Sequence, residues 1–236
     1  MSLSFSRLRA APVAASLVAL ALSGTGAAAA APAIVDLVFY APHFAKVENG
    51  STITYHFVRR AEDPKLEPSF EDEVKVKVGP EGAENSVIIN AFTGARALSM
   101  PNMSKTGNPV IVALMEQDVT EMHKLLGGSP FYFRNRMRQA MSGETPAEPI
   151  KLEYDGKIVD GWKVTLKPFG DDLKNRGKLG EFAERTYELT FSEAVPGGLY
   201  TLKTVTPKAG GAGAILVEEL TVKAQPVAAA SGEAPK

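Results

Sequence analysis

Alternation of apolar and polar residues at period two constrains this chain more than any other feature, because a half-buried strand is what that spacing fits. The clearest case is residues 51–58 (STITYHFV), with Ile53, Tyr55 and Phe57 on one face and Thr52, Thr54 and His56 on the other. Residues 73–78 (EVKVKV) put Val74, Val76 and Val78 on one face. Ile150, Leu152 and Tyr154 alternate up to Asp155-Gly156, and Trp162, Val164 and Leu166 alternate beyond it. Tyr187, Leu189 and Phe191 run into Pro196-Gly197-Gly198, Tyr200 and Leu202 return, and a loop at 209–213 precedes a last strand at 214–222. Residues 86–92 and 109–115 are more continuously apolar, which predicts central strands. Asn49-Gly50 and Asp155-Gly156 are hairpin dipeptides, suited to turns whose two central residues take positive φ.

Helical signals are confined to the middle of the chain and one later turn. Asp118 with Glu121 three residues on matches a capping box, and Gly127 supplies a stop. Ser129 is placed as the N-cap of a second helix with Pro130 at its first position, and Gly143 ends it. Phe133, Met137, Ala140 and Met141 share one face of that helix; Arg134 and Arg138 lie one turn apart on another. A further short helix is expected over 178–185.

Short, hairpin-like connections favour antiparallel pairing over βαβ winding. The expected fold is therefore α+β, mainly antiparallel β, in one domain over 34–223. It takes the form of a curved sheet or open half-barrel with a helical pair around 118–142 packed on one face. The alternative is two small β-sandwiches, with halves 34–142 and 150–223 divided near 143–149. An open sheet with helices in its concavity resembles, in element order alone, the periplasmic carriers of outer-membrane lipoproteins. No motif accompanies that likeness, and no residue role is transferred from it.

The first thirty residues read as an address. Arg7 and Arg9 precede an apolar run at 13–22 and a small-residue stretch at 23–33, the layout of a secretory signal peptide cleaved after Ala30. Ten apolar residues span about half of a bilayer's hydrocarbon core, and no later stretch reaches the length of a membrane helix. The expected location is the periplasm. Removing two arginines and no acid takes the formal charge from −1 to −3. Residues 224–236 are expected to form a disordered tail.

Composition excludes several chemistries. There is no cysteine, hence no disulfide, thiolate nucleophile or Cys-based zinc site. With 26 basic against 27 acidic residues there is no positive surplus for nucleic acid. No G-x-S-x-G, H-E-x-x-H, phosphate-binding P-loop or G-x-G-x-x-G after a strand occurs. The chain is expected to be non-catalytic and to need no cofactor.

Three constellations nominate binding residues. If Asn49-Gly50 closes a hairpin, His43 and His56 oppose each other across it, close enough to meet one zinc or copper ion. All six methionines beyond Met1 lie within 100–141, and thioethers suit copper(I), although methionine also fills irregular core gaps. The helix opening at Ser129 offers backbone N–H groups to an anion, with Arg134 and Arg138 beside the apolar Phe131 and Phe133. Together with Met137 and Trp162 these residues define an expected site for an apolar or amphipathic ligand between helices and sheet. The expected function is thus a periplasmic binding or carrier module whose partner is such a ligand or an envelope protein. A copper- or zinc-binding accessory protein and an envelope interaction domain are the alternatives.

Overall fold

A computed structural model describes residues 31–79, 86–143 and 145–224; the signal peptide expected at 1–30 and all but the first residue of the tail expected at 224–236 lie outside them. Four strands come first: β1 (Thr52–Ala61), β2 (Phe70–Val78), β3 (Ser86–Ala91) and β4 (Leu98–Ser104). Helices α1 (Pro109–Leu126) and α2 (Pro130–Ser142) follow. Five more strands complete the chain: β5 (Glu148–Tyr154), β6 (Lys157–Leu166), β7 (Thr186–Phe191), β8 (Leu199–Pro207) and β9 (Ala214–Val222). The short helix α3 (Arg176–Leu179) and a 3-10 turn, Gly180–Glu184, lie between β6 and β7, where a helical turn is expected from the sequence.

All nine strands form one open antiparallel sheet in the order β4-β3-β2-β1-β9-β8-β7-β6-β5. The α+β architecture expected from the alternation is the one observed. The two-sandwich alternative is incorrect: β1 pairs with β9 from Tyr55↔Val222 to Ala61↔Leu216, so both halves of the chain share one sheet. Asp155 and Gly156 take φ of 52° and 69° and close the β5–β6 hairpin, as the dipeptide predicts.

Three local expectations are corrected, and one strand is new. Residues 109–115 are not a strand but the first two turns of α1. Asn108 is the N-cap, its Oδ1 accepting from the Ile111 N–H at 3.4 Å, with Pro109 at the first helical position. The apolar run is continuous because that end of the helix is buried, and continuity does not distinguish a buried helix from a buried strand. Asp118 and Glu121 consequently lie in mid-helix and cap nothing. Residues 43–48 form turns rather than a strand, since both edges of β1 are occupied by β2 and β9. Edge strand β4, unexpected from the sequence, pairs only with β3 and carries Pro101, which an edge tolerates.

The segment before β1 closes one end of the core. A π-helical turn, Asp36–Tyr40, buries Leu37 and Val38, and the Val38 carbonyl accepts from the Asn108 N–H at 2.7 Å. Gly107, at φ 67°, permits this approach, because a Cβ there would collide with the Val38 carbonyl oxygen. Asn108 Nδ2 donates to the Gly197 carbonyl at 2.9 Å, tying the start of α1 to the β7–β8 connection.

The helices fill the sheet's inner face. Val110, Ile111, Met115, Val119 and Met122 of α1 and Phe133, Met137 and Met141 of α2 join one hydrophobic cluster with the inward residues of the strands. Met100 and Met103 of β4 pack against the same cluster. The methionine concentration thus coincides with the seam between helices and sheet, where an adaptable side chain fits uneven gaps.

Candidate functional site

The ligand residues expected from the sequence are dispersed. Ser129 caps α2, its Oγ accepting from the Phe131 N–H at 3.2 Å. Phe133 and Met137 are buried in the core, and Trp162 is half-buried between its cross-strand partners Pro149 and Phe191. Arg134 forks onto Glu116 of α1 through bonds of 2.6 and 2.7 Å. Phe131 and Arg138 face solvent. The cavity beneath α1 measures about 30 Å³, room for a water or two, and none of these seven residues lines it.

The histidine pair is not assembled. Without the hairpin, His43 sits at the closed end of the core, donates Nε2–H to the Leu37 carbonyl at 2.6 Å and stacks on Phe191 at 5.8 Å. Burial outweighs that hydrogen bond and lowers its pKa. His56 is on β1, between Glu73 and Thr221 of the neighbouring strands, and approaches Glu71 at 3.3 Å. The expectation failed because β1, a central strand, has no vacant edge for residues 43–48.

What the fold assembles instead is a buried network of charge under α1. The inward register of β1 runs Ile53, Tyr55, Phe57 and then Arg59; that of β9 runs Leu216, Glu218, Leu220. Arg59 and Glu218 are direct cross-strand partners and form an ion pair. Arg59 also forks onto Glu121 of α1, while Arg185, fully buried ahead of β7, pairs with Asp118 at 3.1 Å and Glu218 at 2.6 Å. Arg185 Nη1 donates to Thr206 at 2.8 Å and Nη2 to Thr204 at 3.0 Å, and the Tyr187 hydroxyl donates to Asp118. The sequence signal was present. Arg59 and Glu218 fall in phase with the apolar face of their strands, and Asp118 lies one helical turn from Met115 and Met122 on α1.

The electrostatics of the network are uneven. Burial, opposed by Arg185, pushes the Asp118 carboxyl above its ordinary value, and burial does the same to Glu121 against the pull of Arg59. Burial alone would raise Glu218 too, but the charges of Arg185 and Arg59 outweigh it and hold that carboxyl below its ordinary value. Ligand atoms of Asp118, Glu121 and Glu218 lie within 4.8 Å of one another, but both arginines already engage them, so a cation there would compete with two fixed guanidinium groups. Chemically the arrangement clamps α1 to β1, β7 and β9. Gln117 also lines the small cavity beside it, and its Oε1 has no hydrogen-bond partner.

A second and larger space lies at the closed end. Residues 40–49 and 104–106 enclose an open groove of about 770 Å³. Tyr40, Phe44 and Val47 supply its apolar wall, and Lys105 is the one charged residue among its described lining. The Lys105 ammonium donates to Asn49 Oδ1 at 2.8 Å across the groove.

No protein-family model matches this chain, and no curated protein shows significant similarity to it.

Proposed function

We propose that the chain is a non-catalytic binding module of the bacterial cell envelope, exported to the periplasm, whose ligand is apolar along its length and anionic at one end. The observation that carries this reading is the open groove, about 770 Å³ with an apolar wall and one ammonium group. That volume lies within the range of small-molecule sites, and Lys105 beside Tyr40, Phe44 and Val47, with Asn49, Ser104 and Thr106 as further polar lining, suits a carboxylate-headed amphiphile. The filled space beneath the helices argues for the groove, rather than the inner face of α2, as the seat of the ligand. A non-catalytic role is favoured by the internal use of Arg59, Asp118, Glu121, Arg185 and Glu218, which pair with one another. The periplasmic assignment is supported by the signal-like pattern of residues 1–30.

Calorimetric titration of the full chain with laurate, and in parallel with dodecanol, tests this reading. Laurate is expected to bind and dodecanol to bind more weakly, with Lys105→Glu reducing laurate affinity roughly tenfold or more, the effect of losing a charge-assisted hydrogen bond. No heat with laurate would remove the proposal. A second reading, docking of an envelope protein by strand addition, is supported by β4 and β5, which each pair on one side only.

A further inference from the structure

Two of the most exposed large apolar side chains among the described residues flank a single hydrogen bond. Phe131 and Leu173 are 64% and 78% exposed. Their neighbours Tyr132 and Asp172 are joined at 2.6 Å, hydroxyl to carboxylate. Arg136 braces the same contact, donating to the Pro168 carbonyl at 2.8 Å and pairing with Asp171. Phe169 packs edge-on against Phe133 at 6.1 Å from beneath. Helix α2 and the segment 167–175 therefore form one braced corner that presents two apolar tips to water.

The charge around this corner is one-sided. Helix α2 carries three arginines and no acid, and residues 167–178 carry four basic residues against two acids. Glu116 and Glu184 neutralise Arg134 and Arg176 from outside these segments. With exposed Glu181, three residues beyond Lys178, included, seven positive charges against five negative ones leave a surplus of two, on a chain whose formal charge is −1. Arg138, Lys167, Lys174 and Lys178 form no ion pair with a carboxylate among the described residues and are exposed.

We propose that this corner docks on the surface of an anionic lipid bilayer, with Phe131 and Leu173 entering the headgroup region and the unpaired cations lying over lipid phosphates. Apolar tips give sequence-independent anchoring, and each basic residue near an anionic surface adds to the attraction. Charge complementarity selects the bilayer: an apolar protein partner would not require the cationic surround, and a free anion would not require the tips. The surface is separate from the groove, so either assignment stands without the other.

Co-sedimentation of the full chain with phosphatidylcholine vesicles, and with vesicles containing phosphatidylglycerol, tests it. Binding is expected to the anionic vesicles only, and to weaken as salt rises. Lys174→Ala with Lys178→Ala should weaken it roughly tenfold or more. Phe131→Ser with Leu173→Ser should abolish it, while laurate titration of either double variant stays unchanged. All four positions are exposed, so the variants keep the fold. Absence of vesicle binding, equal binding to neutral vesicles, or variants that sediment like the parent would each overturn the proposal.

Discussion

Arg185 shows how much can depend on one side chain. A guanidinium with no solvent exposure requires counter-charge inside the protein, and Asp118, Glu218, Thr204, Thr206 and Tyr187 surround it with acceptors. Removing one partner leaves charge buried without an answer. Asp118→Ala is expected to lower stability by about 3–5 kcal/mol in urea unfolding, whereas Asp118→Leu combined with Arg185→Met should cost less than the two single changes added together. Acid titration separates two groups of carboxyls. Hydrogen bonds from Lys223 and Lys75 hold Glu73 at about 2, and those from Asn175 and Tyr132 hold Asp172 at about 2. These depressed values stabilise the fold above the ordinary carboxyl range of about 4, and that contribution is lost as pH falls toward 2. Asp118 and Glu121 carry the opposite sign: their raised values favour the protonated folded state, and their contribution turns unfavourable as pH rises above the ordinary range. Carboxyl NMR titrations should give Glu73 and Asp172 midpoints near 2, and Lys223→Ala should move Glu73 upward while leaving Asp172 in place.

At the scale of elements, the start of α1 is the most instructive position. Asn108 caps the helix and also bonds the Gly197 carbonyl, so Asn108→Ala removes two bonds at a fully buried site. A loss of about 1–3 kcal/mol is expected, readable as a lowered melting temperature. Alternating strands and the Ser129-Pro130 helix start were legible in the sequence because both signals are local: a register of two, and a cap beside its first turn. The first half of α1 was not, because a fully apolar run reads the same on a buried helix and a buried strand, and only tertiary packing decides between them. The histidine pairing failed for a related reason. Asn49-Gly50 signals a turn, and Gly50 takes φ 85°, but the dipeptide cannot show that both edges of the next strand are already filled. Half of the charge network was readable as polar residues in phase with apolar faces. That Arg59 and Glu218 sit opposite each other, with Asp118 and Arg185 beside them, depends on strand order, which no local pattern encodes.

At the scale of the whole molecule, stability is expected to fall from the middle of the sheet outward. β1 and β9 are hydrogen-bonded on both sides and lie under α1, while β4 and β5 are each bonded on one side. Native-state hydrogen exchange should give the slowest amides in β1 and β9 and the fastest strand amides in β4 and β5, and the reverse order would contradict the sheet described. The pairing at that centre also sets a timetable. Tyr55 opposes Val222, 167 positions further along the chain. During synthesis β1 stays half-satisfied until β9 has emerged, whatever hairpins have zipped up in between. Contacts so distant in sequence slow folding, so the rate-limiting event should be the late meeting of β1 with β9, well after the local turns have closed.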